Sequence, residues 1–186
     1  TLSAARPTAQ WERAIALLES MPSLGLTPDS YTYSAAIAAR SRAGEVERAL
    51  AVFRQCCASE DGPNAVVFNA VLLACQRAGA KWSPQLLAIF AAMSAHGVPP
   101  SAWAYSAAIK AVARSGQWRR ALELLGELEQ PTSTTRPDTH CYGAAMHACQ
   151  RAGQWATVLD LHERMVHRRL QPTAYTLLST ISAYAS

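Results

Sequence analysis

The sequence predicts an all-α protein, an α-solenoid of about five helical hairpins with a period of 35–37 residues. Three unrelated residue types recur at one shared spacing, and the segments between them have helical periodicity. Proline recurs at separations of 35, 37, 37 and 35 residues, and glycine and an aromatic residue recur at 35, 37 and 37. The recurring residues are Pro28, Pro63, Pro100, Pro137 and Pro172; Gly44, Gly79, Gly116 and Gly153; and Tyr33, Phe68, Tyr105 and Tyr142. Because one hairpin cannot bury its apolar side alone, consecutive hairpins are expected to stack.

The shared spacing divides the chain into units. Four are complete, and partial units 1–29 and 174–186 flank them. The complete units are 30–64, 65–101, 102–138 and 139–173. Counted from its first residue, each complete unit has the aromatic residue at position 4, glycine at position 15 and proline next to last. We expect residues 1–186 to form a single repeat array that is a piece of a longer protein.

The first helix of each unit is predicted from an apolar face. In unit 102–138 this face has the spacing i, i+3, i+4 and i+7. Its residues are Tyr105, Ala108, Ile109 and Val112. Gly116 follows where helices commonly end with a left-handed residue, and Arg114 in the last turn complements the helix dipole. Small residues recur where first helices must pack closely, at Ala35, Ala36, Ala107, Ala108, Ala144 and Ala145.

A second helix follows each of these glycines. In unit 102–138 its apolar stripe consists of Trp118, Ala121, Leu122, Leu125 and Leu128. The units 30–64 and 139–173 repeat the pattern with Leu50 and Phe53, and with Leu159 and Met165. Each unit ends in a loop like that at Pro137, which cannot continue a helix, and Asp138 can cap the helix that follows.

Composition excludes several classes of protein. Half of the 186 residues are apolar and 16% are charged, which disfavours both a disordered chain and a membrane-spanning bundle. The net charge of +4 is compatible with a polyanionic partner, and five cysteines without zinc-ligand spacing indicate a reducing compartment. The chain begins at Thr1 with no visible targeting segment, so we expect either a processed protein or an excerpt.

The units resemble pentatricopeptide repeats, a family of helical hairpins about 35 residues long. The resemblance rests on a Tyr-Thr-Tyr-Ser opening at 31–34, Arg-Ala-Gly at 42–44, Arg-Ala-Leu-Ala-Val-Phe at 48–53, and Gly-Leu-Thr-Pro-Asp at 25–29. The Trp-x-x-Leu-Gly-x-x-Tyr opening of tetratricopeptide repeats is found in no unit. The resemblance covers the whole chain and implies a right-handed superhelix. The two 37-residue units depart from the family length near residues 80–86 and 130–136.

The resemblance also implies binding of single-stranded RNA, one base per repeat. In this family position 5 and the last residue of a unit face the base edge. The matching pairs are Ser34 with Asn64, Asn69 with Ser101, Ser106 with Asp138, and Gly143 with Thr173. By family analogy the first three pairs prefer A, C and G in the 5′ to 3′ direction, and the pair with Gly143 is weakly selective because glycine has no side chain. The alternative is that these polar residues only cap helices.

Position 2 provides candidate stacking residues. In this family the side chain at position 2 lies between neighbouring bases, and base–aromatic stacking contributes ~1–3 kcal/mol per base. The residues are Tyr31, Val66, Trp103 and His140 in the complete units, followed by Tyr175. The alternative is that they only cover the joints between hairpins.

Position 13 is arginine in all four complete units. These residues are Arg42, Arg77, Arg114 and Arg151. Stacked repeats would align them along one rim, where each can bind a phosphate. The alternative is a structural role, in which each cation complements the negative end of its helix.

No catalytic or cofactor motif is found, and no cofactor is predicted. His140, Cys141, His147 and Cys149 cluster in one predicted helix, but their spacing matches no zinc signature, so no metal site is predicted. Phosphate-binding glycine loops and nucleophile–base pairs are absent from the sequence.

These observations predict a non-catalytic module that binds single-stranded RNA and acts in transcript stabilisation, processing or translation. Family precedent suggests a mitochondrion or chloroplast. One alternative is a structural component of a larger organellar ribonucleoprotein, such as a ribosome, with other subunits as partners. Two further alternatives are a protein-binding solenoid and an enzyme whose catalytic part lies outside this sequence. Neither a membrane nor a small-molecule substrate is expected as a partner.

Overall fold

The structure, a computed structural model, describes residues 27–131 and 133–185, together with residues 13, 16, 20, 21 and 25. Within this part of the chain nine α-helices follow one another, and no strand occurs. They are α1 (Ser30–Arg42), α2 (Val46–Ala58), α3 (Ala65–Ala78), α4 (Ser83–Ala95), α5 (Ala102–Arg114), α6 (Trp118–Glu129), α7 (Thr139–Arg151), α8 (Trp155–His167) and α9 (Ala174–Tyr184). The all-α prediction is confirmed. Most of the predicted partial unit 1–29 lies outside the described residues.

The helices form two layers. The first helices of the units, α1, α3, α5, α7 and α9, pack against one another in succession. Each second helix packs against the first helix of its own unit and against the first helix of the next unit. The apolar core therefore runs between the layers. Among the described residues, no other helix covers the face of the first helices that points away from the second helices.

The last residue of each unit is the N-cap of the next first helix. Its side-chain oxygen accepts a hydrogen bond from a backbone N–H in the first turn, where helical partners are lacking. These bonds join Asp29 to Thr32, Asn64 to Val66 and Val67, Ser101 to Ala104, Asp138 to Cys141, and Thr173 to Thr176. The end of one unit thus fixes the start of the next helix.

Glycine ends most first helices in the expected way. After α5, Gly116 has a φ of +73°, and its N–H donates to the carbonyl of Ala113 at 3.1 Å. The N–H of Gln117 donates to the carbonyl of Val112 at 3.0 Å, which completes the Schellman motif that satisfies the last carbonyls. Unit 65–101 differs, because a 3-10 helix at Ala80–Trp82 is inserted before α4.

The aromatic residue at position 4 joins each first helix to the preceding hairpin. The Phe68 ring packs edge-on against Phe53 of α2 at a centroid distance of 5.4 Å. The Tyr105 ring packs in the same way against Phe90 of α4, at 4.9 Å. This row of rings therefore belongs to the core between units, and its spacing keeps successive hairpins in register.

Tyr142, the aromatic residue of the fourth unit, is fully buried and needs a polar partner. Its hydroxyl donates a hydrogen bond to the carboxylate of Glu129, at the end of α6. Arg164 of α8 forms an ion pair with the same carboxylate, and Arg168 lies 3.6 Å from it. Burial and the Glu129 carboxylate raise the pKa of the Tyr142 hydroxyl. This network ties together three helices of two units.

Replacing Glu129 with alanine is expected to lower the free energy of unfolding by about 2 kcal/mol, because a buried hydroxyl and a partly buried guanidinium lose their partner. Urea unfolding followed by circular dichroism measures the change. The matched control is Glu123→Ala, which removes an exposed partner of Arg120 on the same helix and should cost less than about 0.5 kcal/mol. Equal losses in the two variants would contradict the structural role of the Glu129 network.

Candidate nucleic-acid interface

Positions 2, 5, 9 and 13 of a unit lie on one face of its first helix, since these spacings are close to whole turns. The first helices stand side by side, so these faces form one continuous surface. Two grooves occur on it. The N-terminal groove lies between α1, α3 and the start of α5 and has a volume of about 480 Å³. The C-terminal groove lies between α5, α7 and the start of α9 and has a volume of about 500 Å³.

The N-terminal groove brings together seven residues that the sequence singled out. They are Tyr31, Ser34, Arg42, Val66, Asn69, Arg77 and Trp103. The C-terminal groove brings together four more, with Tyr175 beside them. They are Arg114, His140, Gly143 and Thr173. The remaining five predicted residues line neither of these two grooves. They are Asn64, Ser101, Ser106, Asp138 and Arg151.

The residues at position 2 present apolar surface to solvent. Tyr31 is 79% exposed, Val66 55%, Trp103 39% and Tyr175 47%. Trp103 lies at the joint between α3 and α5. These two helices pack against each other less extensively than α1 and α3 do. Large apolar side chains that line a shared groove are typical of a surface that binds a ligand.

The residues at position 5 differ in their access to the surface. Asn69 is half-buried and lines the N-terminal groove, and its side-chain oxygen has no hydrogen-bond partner. Ser34 is 9% exposed, and its hydroxyl donates to the carbonyl of Tyr31 at 2.8 Å. Ser106 is only 3% exposed, and its hydroxyl has no hydrogen-bond partner. Gly143 is buried beneath α9. Among these residues, Asn69 is the one best placed to contact a ligand.

The last residues of the units already have one role as helix caps. The Asn64 oxygen accepts from the backbone N–H groups of Val66 at 3.0 Å and Val67 at 3.2 Å. One oxygen of Asp138 accepts from the N–H of Cys141 at 2.9 Å. Capping leaves the Asn64 amide NH₂ and the second Asp138 oxygen for other partners, so the capping role and a ligand contact are compatible.

The arginines at position 13 have no carboxylate within 4.0 Å among the described residues. Arg114 instead donates to the carbonyl of Gln76 at 3.4 Å, and Arg151 to the carbonyl of Ala113 at 3.4 Å. Both bonds reach the end of the preceding first helix and so bridge neighbouring units. All four arginine side chains are exposed, and the charges of this row remain uncompensated.

Five other arginines are paired with carboxylates. They are Arg40, Arg48, Arg120, Arg164 and Arg168, whose partners are Glu45, Glu123, Glu129 and Asp160. Four of these five lie on second helices or just after one. The arginine row is thus without the carboxylate partners that these five have, although other cations, such as Arg54, Arg119 and Arg169, also lack a carboxylate within 4.0 Å in the described part of the chain.

Sequence reasoning missed position 9 as a groove-lining row. Its members are Ala38, Leu73, Lys110 and His147, and all four line one of the two grooves. Position 9 lies one turn beyond position 5 on the same helix face, so helical geometry alone could have identified it. Leu73 adds apolar surface to the N-terminal groove, and Lys110 and His147 add polar groups to the C-terminal groove.

The described residues contain no group of three or more His, Cys, Asp or Glu side chains arranged to hold a metal ion. Among the predicted cluster, Cys141 donates to the carbonyl of Ala102 at 3.3 Å, and burial raises the pKa of this thiol to about 12. Burial also raises the pKa of the Cys149 thiol to about 11. Within the described part of the chain, no helix is long and apolar enough to cross a membrane.

Comparison with known proteins identifies the family. The sequence model of the pentacotripeptide-repeat region of PRORP matches residues 23–185. The chain belongs to the pentatricopeptide repeat family. The family prediction from the sequence is thereby confirmed. No curated protein shows a significant match to the chain.

Solved structures of pentatricopeptide repeat proteins share the fold. PPR10 from maize, crystallised with an 18-nt psaJ RNA element, is 29% identical with a TM-score of 0.71, and the match covers 95% of this chain and 26% of PPR10. The PPR domain of Arabidopsis thaliana PRORP1, in complex with tRNA, is 17% identical with a TM-score of 0.76, covering 96% and 93%. A. thaliana PRORP2 is 14% identical with a TM-score of 0.74, covering 86% and 35%. The α-solenoid prediction is confirmed, and the chain spans about a quarter of PPR10.

Two asparagines that the sequence assigned to base contact should respond to substitution with opposite signs. Asn69→Ala is expected to raise the free energy of unfolding by about 1 kcal/mol, because it removes a buried oxygen without a partner and improves helix propensity. Asn64→Ala is expected to lower it by about 1 kcal/mol, because it removes a helix cap. Urea unfolding of both variants measures the changes. A loss of stability in Asn69→Ala would show that its oxygen has a partner in solution.

Proposed function

We propose that this chain binds single-stranded RNA along the two grooves, without catalysing a reaction. The observation that carries the proposal is the N-terminal groove, which combines three chemically distinct groups within about 480 Å³. Tyr31 and Trp103 offer ring faces for stacking, the half-buried Asn69 has an amide whose buried oxygen lacks a partner, and Arg77 offers a cation without a carboxylate partner. Bases, base edges and phosphates of RNA require these three kinds of contact.

The base-reading hypothesis receives its best support at the second unit. An amide offers both a donor and an acceptor, and a buried acceptor left without a partner costs about 1–3 kcal/mol. A base that donates to the Asn69 oxygen would recover this cost. The Asn69 oxygen is covered in the unbound chain, and Ser34 and Ser106 are more deeply buried still, so base reading at all three units requires the neighbouring first helices to separate slightly.

The RNA-bound relatives support the same function. PPR10 was crystallised with an RNA element and the PRORP1 domain with tRNA. Because the chain spans only part of PPR10, its place in RNA metabolism is also part of the proposal: stabilisation, processing or translation of a transcript in a mitochondrion or chloroplast.

The second candidate function is a structural module inside a larger organellar ribonucleoprotein. The observation that favours it is the bonding of Arg114 and Arg151 to backbone carbonyls, together with the 3% exposure of Ser106. An array with these features could hold RNA by its phosphates while reading few bases. Binding that depends on the RNA sequence would indicate the base-reading function, and binding that is independent of it would indicate the structural module.

A short RNA centred on A-C-G is expected to bind more tightly than a scrambled RNA of the same composition. Asn69→Ala should remove the preference for cytosine at one nucleotide and leave its neighbours unchanged, because only one base edge loses its partner. Competition binding by fluorescence anisotropy measures both effects. The control is Gln85→Ala, which removes an exposed amide from α4, outside both grooves. Equal affinity for all sequences would favour the structural module, and absence of RNA binding at low salt would refute both functions.

Binding should also weaken with salt in proportion to the phosphates engaged. For single-stranded RNA, each neutralised phosphate contributes about 0.7 to the slope of log K against log salt. Arg77→Ala is therefore expected to make the slope shallower by about 0.7 for every RNA sequence alike. Arg48→Ala, which removes a paired arginine from α2, should leave the slope unchanged. A slope that does not differ between these two variants would remove Arg77 from the phosphate row.

A further inference from the structure

The C-terminal groove differs in chemistry from the N-terminal groove. Lys110 and Arg114 of α5 line it on one side, and His140 and His147 of α7 line it on the other. No carboxylate belongs to its lining. Arg114 donates to the carbonyl of Gln76 through one of its N–H groups, and Lys110 and the two histidines are the other nitrogen-bearing side chains of the lining.

Two of the three hydroxyl groups that line this groove, those of Thr139 and Thr173, are already engaged. Thr139 donates to the carbonyl of Gln171 at 3.3 Å. Thr173 and Thr176 bond each other in a capping box at the start of α9. Lys110 and Arg114 offer only hydrogen-bond donors, which suits a ligand edge rich in acceptors.

His147 lies near Gly143 on the side of α7 that lines the groove. Position 5 of this unit has no side chain, and a Cβ placed there would meet the Thr176 methyl group at 3.5 Å and the Tyr175 ring at 3.9 Å. After His140, the next polar side chain of α7 that lines the groove is His147, one turn beyond Gly143. The histidine at position 9 is thus placed beside the position that lacks a side chain.

His147 is held in place by aromatic packing. Its ring centroid lies 5.8 Å from that of Tyr175, with the planes tilted by 58°. Burial, assisted by the charge of Arg151, lowers the pKa of His147. The lowered pKa favours the neutral imidazole, which has one N–H donor and one acceptor nitrogen, and the half-exposed Tyr175 ring offers a face on which a base can stack.

We propose that His147 and Lys110 determine base specificity at the fourth unit and select guanine through its N7 and O6 acceptors. This inference rests on the proposed function. Guanine presents two adjacent acceptors on this edge, with no donor between them. Adenine places an amino donor beside N7, and Lys110, which can only donate, cannot pair with that amino group. The exposed edge of an unpaired base is accessible in single-stranded RNA, and a purine also provides the larger surface for stacking on Tyr175.

Selection from a randomised pool tests the proposal without assuming a binding register. The 186-residue chain is incubated with single-stranded RNAs that contain a randomised core, and the bound RNAs are sequenced. In the unsubstituted chain, one column of the selected motif should be enriched in guanine about tenfold. His147→Phe keeps a ring against Tyr175 but removes the N–H, and should abolish enrichment in that column alone. Lys110→Gln should weaken the same column.

Two matched substitutions serve as controls. His167→Phe changes an exposed histidine of α8, and Lys81→Gln changes the other lysine of the chain, in the 3-10 helix. Both should leave the selected motif unchanged. Substituting 7-deazaguanine for guanine at the selected nucleotide removes N7 and should weaken binding to the unsubstituted chain about tenfold.

The possible outcomes separate this inference from the proposed function. Survival of the guanine column in His147→Phe, enrichment of another base, or a uniform loss across all columns would overturn the role of His147 while RNA binding stands. If the unsubstituted chain retains RNA but selects no guanine in that column, the specificity proposal fails alone. If it retains no RNA from the pool at low salt, the proposed function fails together with it.

Discussion

The structure depends on the packing of each first helix against the first helix of the next unit. A hairpin of this length buries its apolar side only against neighbours, so stability is shared along the array. Small residues such as Ala36 and Ala108 are buried where the helices meet, and they permit close approach. Close, regular packing is also what places equivalent residues one period apart in columns. The fold and the candidate interface therefore have the same physical origin.

The junction between units combines two requirements. A residue such as Asn64 or Asp138 must cap the next helix, because the first backbone N–H groups of that helix lack partners. The same residue stands at the rim between two units, where the family places a base-reading side chain. Ser, Thr, Asn and Asp satisfy both requirements, since each has an oxygen that accepts from the backbone and can keep a further group free. Capping restricts this position to the residue types that can also distinguish base edges.

The sequence was sufficient for the fold but only partly sufficient for the interface. Recurring proline, glycine and aromatic residues identify the units, because each has a local physical role: Gly116 adopts a positive φ, and Phe68 packs between units. Burial at position 5 could not be predicted, because it depends on the separation between neighbouring first helices. Asn69 lies at the looser α3–α5 joint and reaches a groove, whereas Ser106 is sealed at the tighter α5–α7 joint. Position 9, the row that contains His147, was not predicted, because residues were chosen from the positions known in the family and not from the complete helix face.

The local distribution of charge bears more directly on the proposed binding of a polyanion than the net charge of +4 does. Carboxylates neutralise arginines mainly on the second helices, while the row from Arg42 to Arg151 on the first helices has no such partner. At an ionic strength near the physiological value, charges interact over about 8 Å, so a ligand responds to the local row and not to the sum over the molecule. The two grooves along this row also differ, since Tyr31 and Trp103 line one of them and Lys110, His140 and His147 line the other. If a polymer engages both grooves as proposed, it must present its contacts in a fixed order, so the difference between the grooves would distinguish the two directions of that polymer.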